Sequence, residues 1–356
     1  MNYGTILFLF GTVFGSFFSG MGETKTVMFA NVTGMLVNIP LAYFFVFNSY
    51  GWNPLSGCAL ATCISQLCAL SVYVVAWMRR KESRFRTAWA FDALIMRKLF
   101  KYGFPTGVEF FLSFFTFSTF GNFFHSYGMT EAVAMTIAIN WDIFAFMSLW
   151  GLSHAVMSLV GQYMGARRVD LALKTTYSGA KIAACIAFVF ISFFCLLPEV
   201  LISVFLQGKE TDPELAKNVL ELGPSMMRFM SLYTLGLASN LVFCAALRAA
   251  GDTRVCMWMQ NLTDCSMLFW TSLAIKHWHL PSLWSWCIFV GHIICLGLFA
   301  FLRFKHGKWQ LLRVVLLEPA APFPNLPAMR RFPTSLPKQH APVHSNDSNP
   351  NSAPQA

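Results

Sequence analysis

The sequence predicts an all-α integral membrane protein with about nine transmembrane helices, and three observations predict it. Of 356 residues, 56% are hydrophobic and 12% charged, with a mean hydropathy of +0.54. Soluble domains carry about twice that charged fraction. Nine apolar runs are each long enough to supply the roughly 20 residues that a spanning helix needs. The chain also repeats itself. Gly22-Glu23-Thr24-Lys25 is echoed by Gly251-Asp252-Thr253-Arg254, and Asn31-Val32-Thr33 by Asn261-Leu262-Thr263. Each echo is a polar break between apolar runs, so the chain is expected to hold two related halves.

In order, the runs cover residues 3–20, 27–47, 55–78, 103–125, 132–160, 175–206, 222–247, 255–276 and 283–303. The first lacks the basic leading region of a signal peptide and ends in a Gly-rich turn, so it is taken as a span. Residues 79–101 form the longest connector between spans, mixing Lys and Arg with Trp89 and Phe91. That mixture suits either an amphipathic segment on an anionic inner leaflet or a solvated linker. Beyond Glu318 the chain holds nine of its 16 prolines and no periodicity, so it is expected to be disordered. The expected organisation is a partial first lobe at 1–78, a cytoplasmic connector at 79–101, a second lobe of six helices at 102–305 and a cytoplasmic tail at 306–356.

With the loop at 21–26 taken as cytoplasmic, 21 of the 26 Lys and Arg residues fall on the inner side and three outside. The N-terminus is then external and the C-terminus cytoplasmic, in the plasma or inner membrane. The net charge of +10 is therefore a topology signal, not a nucleic-acid footprint. The ten cysteines lie in or beside apolar runs without a CxxC pair, and read as small buried hydrophobes rather than metal ligands or disulfides. No Walker-type phosphate loop and no nucleophile–base set occurs, so an enzyme, a cofactor and a metal site are not expected.

Three stretches carry a family resemblance. Tyr102-Gly103-Phe104-Pro105-Thr106-Gly107-Val108 opens the second half. Gly151-Leu152-Ser153-His154-Ala155-Val156-Met157-Ser158-Leu159-Val160-Gly161-Gln162-Tyr163-Met164-Gly165-Ala166 closes its second helix. The third is Ala246-Leu247-Arg248-Ala249-Ala250-Gly251-Asp252-Thr253-Arg254. Together they resemble the multidrug and toxic compound extrusion (MATE) family, from about residue 1 to 305. Locally, Gly161 and Gly165 share a helix face and are expected to permit close helix approach. Pro105 is expected in the first turn of its helix.

The resemblance implies a two-lobe (6+6) parallel-repeat transporter, of which nine helices make a remnant lacking three at the N-terminus. The faces carrying Gly11, Gly15 and Ser19 would then be left to lipid. The implied function is a secondary antiporter that exports organic cations or drug-like compounds in exchange for H+ or Na+, by alternating access. The alternatives are a transport-incompetent remnant or membrane scaffold, and a lipid-linked glycan flippase of the same superfamily. The implied partners are membrane lipids, small-molecule organic cations, and either the missing helices or a partner subunit. Relatives often carry an acid at the positions of Ser113 and Leu237, and one following Asn38, where Ala42 stands; a sodium site of the family type is thereby in doubt.

Ionisable residues inside a membrane are costly and mark candidate sites. The candidates for cation coupling are Glu109, Asp142 and Asp264. Asp142 and Asp264 lie about 14–16 Å into their helices, near the midplane where transporters bind ions and substrates. Glu109 stands four residues before Ser113, on the same helix face. Each acid also fits a plain interhelical hydrogen bond. His292 is a lone midplane residue, either packed or a proton relay; His154 reads as structural. Burial favours a neutral carboxyl, so a buried acid can exchange its proton for a cationic substrate. The many Phe, Met and Trp side chains either line an adaptable cavity or face lipid.

Overall fold

The computed structural model describes residues 2–47, 54–79, 92–206 and 212–312. The expected tail disorder and the reading of Trp89 and Phe91 lie outside these residues. Ten helices appear: α1 (Asn2–Gly20), α2 (Thr24–Phe47), α3 (Pro54–Met78), α4 (Ala93–His125), α5 (Met129–Gly165), α6 (Val169–Leu196), α7 (Pro198–Leu206), α8 (Pro213–Ala249), α9 (Thr253–Lys276) and α10 (Ser282–His306). A 3-10 turn, Lys308–Leu311, follows. The chain is a multi-pass, all-helical membrane protein. By length and composition α2, α3, α5, α6, α8 and α10 are apolar enough to cross, and α1 supplies a shorter apolar stretch, Gly4–Gly20. Helices α4 and α9 are more polar because they carry Glu109, Gln260, Asn261 and Asp264, and they pack against each other.

Local chemistry explains where helices begin and break. Asp92 accepts from the Leu94 and Ile95 amides at 2.8 and 3.3 Å, which starts α4 at Ala93. Pro105 consequently sits inside α4 rather than in its first turn. The run expected as one span over 175–206 is two helices, because Pro198 lacks an amide to continue α6 and instead opens α7.

The two echoed stretches form the same helix cap. After α1, the Gly22 amide bonds the Ser19 carbonyl at 3.0 Å and the Glu23 amide bonds Phe18 at 2.9 Å. After α8, Gly251 bonds Arg248 at 3.0 Å and Asp252 bonds Leu247 at 2.9 Å. Both are Schellman caps, and both glycines take the positive φ that this cap requires, 80° and 91°. Thr24 and Thr253 then open the next helix in each half.

Helix α8 is the axis of the second half, packing against α5, α6, α7 and α10. Glycine governs one of these contacts. A Cβ on Gly297 would stand 2.3 Å from the Gly236 carbonyl oxygen, so α8 and α10 cross backbone to backbone. The Ser239 hydroxyl donates to the Gly297 carbonyl at 3.0 Å across the same crossing. The close approach expected at Gly161 and Gly165 is absent: nothing stands within 4 Å of a Cβ at either position. Gly161 instead borders a cavity between α5 and the first half. The small residues of α1 are not left to lipid either. Gly15 faces the Tyr73 hydroxyl of α3, and the Ser19 carbonyl accepts from Ser158 of α5 at 2.6 Å.

Candidate functional site

Four helices bring ionisable side chains together in the buried interior. Glu109 of α4 and Asp264 of α9 are each 3% exposed. Glu109 Oε1 forms a salt bridge with Arg248, from the last turn of α8. One turn further along α4, the Ser113 hydroxyl donates to Asp264 Oδ2 at 2.6 Å. Asp264 Oδ1 receives Gln260 Nε2 at 3.2 Å and lies 3.1 Å from His292 Nε2 of α10. Glu109 Oε2 and His292 Nδ1 have no partner among the described residues.

The local spacings explain this convergence. Glu109 and Ser113 are four apart, as are Gln260 and Asp264, so each pair shares a helix face. Because α4 and α9 pack together, the two faces meet. Arg248 reaches Glu109 from just before the Gly251 cap, its guanidinium 5.8 Å from the Phe110 ring. Asp252 beside it is held by Arg303 of α10 through Nε at 2.8 Å and Nη2 at 2.7 Å.

With His292 neutral, Glu109, Arg248 and Asp264 leave one negative charge uncompensated in a buried setting. Such a charge is costly unless a proton or another cation joins it. Two of the three groups on Asp264 are nitrogen donors. Of the two, only the His292 imidazole lacks an oxygen that a hard metal cation takes; the Gln260 amide carries one.

The structure separates the third candidate acid from this cluster. Asp142 of α5 lies beside Tyr233 of α8, and its Oδ1 has no hydrogen-bond partner among the described residues. His292, a lone residue in the sequence reading, is paired with Asp264. His154, expected to be structural, is exposed and sets its ring edge-on to Trp150 at 5.1 Å. Leu237, where relatives often carry an acid, is a buried apolar residue. Arg248 and Gln260 were not foreseen as members of the site. The four-residue step from Gln260 to Asp264 was the available signal for Gln260; for Arg248 the signal was its charge at the end of an apolar run.

A cavity of about 710 Å³ lies between the two halves, a size suited to a drug-like molecule. Phe8, Tyr73, Trp150 and His154 supply its rings, while Asn31, Gln66 and Gln162 supply hydrogen-bonding groups. Along its lining Ser158 donates to the Ser19 carbonyl and Gln162 Nε2 to the Gly20 carbonyl at 3.3 Å.

Residues 105–262 match the MatE family model. A probable multidrug resistance protein NorM from Thermotoga maritima is 26% identical over 332 residues, covering 88% of this chain and 67% of the relative. The multidrug resistance protein MdtK of Photorhabdus laumondii is 23% identical over 315 residues, covering 85% and 66%. Among solved structures, an outward-facing multidrug resistance MATE family transporter of the MOP superfamily superposes with a TM-score of 0.75 at 16% identity, covering 87% of this chain and 69% of that one. A MOP superfamily transporter from Pyrococcus furiosus does so at 0.75 and 17%, covering 87% and 67%. The chain thus spans about two thirds of the length of these proteins.

Proposed function

We propose that the chain is a transporter of the MATE family, a non-enzymatic family, and that it serves secondary export of drug-like organic molecules, coupled to protons at the Glu109–Arg248–Asp264–His292 cluster. The observation that carries the reading is that two acids, each 3% exposed, share one arginine and the His292 imidazole. With both carboxyls ionised and His292 neutral, one proton on Asp264 or His292 would bring the cluster to zero net charge. Substrate in the adjoining cavity and the proton in the cluster would then bias the two halves between alternative packings, the general logic of alternating access. Na+ is the weaker candidate, because the His292 imidazole on Asp264 offers it no oxygen ligand.

The cavity supports a substrate that is aromatic or carries an organic cation. Ring faces attract such cations without a fixed carboxylate, and the residues lining the cavity include no Asp or Glu. The external N-terminus and cytoplasmic C-terminus belong to the same proposal, supported by the basic residues of alternate loops.

The test is substrate-induced proton release from purified protein containing residues 1–356, compared across carboxyl variants. Glu109→Gln and Asp264→Asn should each lower it at least about tenfold, the scale of about 1.4 kcal/mol in a coupling equilibrium, while Asp142→Asn should lower it less. Release unimpaired in both cluster variants at matched folding would remove the assignment. Glu109→Gln also leaves Arg248 buried without its partner, a loss of several kcal/mol in stability when a buried pair is broken. The double variant Glu109→Gln/Arg248→Met removes both charges and should recover folding, so lost coupling in it cannot be ascribed to an orphaned guanidinium.

A further inference from the structure

A second polar feature lies away from the cluster and the central cavity. Helices α4 and α9 both begin at the same end of the bundle, and their first turns frame a groove of about 950 Å³. From α4 it takes Leu94, Arg97, Lys98, Lys101, Phe104 and Pro105, spaced three and four apart and therefore on one face. From α9 it takes Arg254, Met257 and Trp258 at the same spacing. The groove thus gathers four cations, and its lining holds no carboxylate.

The acids nearest in sequence to each set of cations are engaged elsewhere. Asp92 caps the Leu94 and Ile95 amides, and Asp252 is held by Arg303. Arg97, Lys98 and Arg254 make no ion pair among the described residues. Lys101 has the neighbouring Tyr102 ring 5.5 Å away. Cations near a helix N-terminus are unfavourable against the helix dipole. Placing them on two parallel N-termini compounds that cost unless an anion from outside the chain joins them.

Depth identifies the anion's source. Phe104 lies about 10 Å further along α4 than Arg97, and Trp258 about 6 Å further along α9 than Arg254, at 1.5 Å per residue. The charges form the rim of the groove, and the apolar floor runs toward the membrane interior. Phe104 and Trp258 are 67% and 69% exposed, so neither is spent on packing within the chain. A soluble anion would use the rim and leave the floor empty.

We propose that this groove is a binding site for an anionic phospholipid, its phosphate on Arg97, Lys98, Lys101 and Arg254 and an acyl chain along Phe104, Met257 and Trp258. By the asymmetry of basic residues the lipid belongs to the cytoplasmic leaflet, where anionic headgroups attract basic pockets between helices.

Native mass spectrometry of purified protein containing residues 1–356 tests the site, with phosphatidylglycerol, phosphatidylcholine or inorganic phosphate as the probe. Phosphatidylglycerol should be retained preferentially, with affinity falling about fivefold for each cation replaced by Gln. The variant Arg97→Gln/Lys98→Gln/Lys101→Gln/Arg254→Gln should lose the preference. Replacing Arg167, Lys174, Lys305 and Lys308, basic residues of the same surface outside the groove, should leave it. Phosphatidylglycerol with brominated acyl chains should quench tryptophan emission, and Trp258→Phe should remove that component. This second readout decides the matter if the fourfold variant does not fold. Equal retention of both lipids, retention surviving the fourfold substitution, unchanged quenching in Trp258→Phe, or displacement of the lipid by millimolar phosphate would each overturn the proposal.

Discussion

Arg167 takes a φ of 59°, the conformation glycine holds at Gly22 and Gly251. It closes α5 with the same cap: its amide bonds Met164 at 3.1 Å, and the Arg168 amide bonds Tyr163 at 2.8 Å. An L side chain there costs about 1 kcal/mol relative to glycine. Arg167→Gly should therefore raise thermal stability in detergent by about that amount, read as a shift in unfolding midpoint. Gly22→Ala should do the reverse and more, since its Cβ would also stand 2.9 Å from Gln162 Nε2. At this scale the sequence was legible where chemistry is local. Glu109 and Asp264 stood out as charges in apolar runs, and both are buried in the cluster. Their partners were not legible, because Arg248 lies 139 residues from Glu109 and Ser113 lies 151 from Asp264. Helix periodicity says which face a residue occupies, not which other face it meets. Hence Asp142 looked equivalent to Asp264 until packing set it against Tyr233.

Among the elements, each of the nine apolar runs holds a helix, six helices are long and apolar enough to cross a membrane, and the misplaced boundaries sit at prolines. Pro105 was assigned to a helix start and Pro198 to a helix interior, the reverse of the structure. Asp92 accounts for the first, since a side-chain cap can begin a helix in a polar stretch that hydropathy passes over. Glycine spacing misled for a related reason: Gly161 and Gly165 share a face, yet that face borders a cavity. The glycines that set a helix crossing are Gly236 and Gly297, one on each helix and invisible as a pair in either run. Gly297→Ala should destabilise the fold by about 1–3 kcal/mol, because its new methyl meets backbone that cannot rotate away. Gly161→Ala should leave the unfolding midpoint within about 0.5 kcal/mol of the parent. Equal effects of the two substitutions would show that the α8–α10 crossing is not the tight one.

At the scale of the whole molecule, the echo of Gly22–Lys25 in Gly251–Arg254 coincides with two helix caps of the same hydrogen-bond pattern. How the halves meet was beyond the sequence. They touch through Ser158 on Ser19 and Gln162 on Gly20, at the end where the basic loops gather. Those residues also line the cavity. Ser158→Ala/Gln162→Ala should loosen that contact and increase labelling of a cysteine placed at His154 from the cytoplasmic side; unchanged labelling would mean the hydrogen bonds do not hold that end shut. A proton exchanged at the Asp264 cluster is proposed to drive export. Proteoliposomes of the protein containing residues 1–356, loaded with a fluorescent organic cation, measure it most directly under an imposed pH gradient or an imposed Na+ gradient. The account predicts dye movement driven by the pH gradient without Na+, and lost in Asp264→Asn. Movement driven by Na+ alone, or by the pH gradient undiminished in Asp264→Asn, would contradict it.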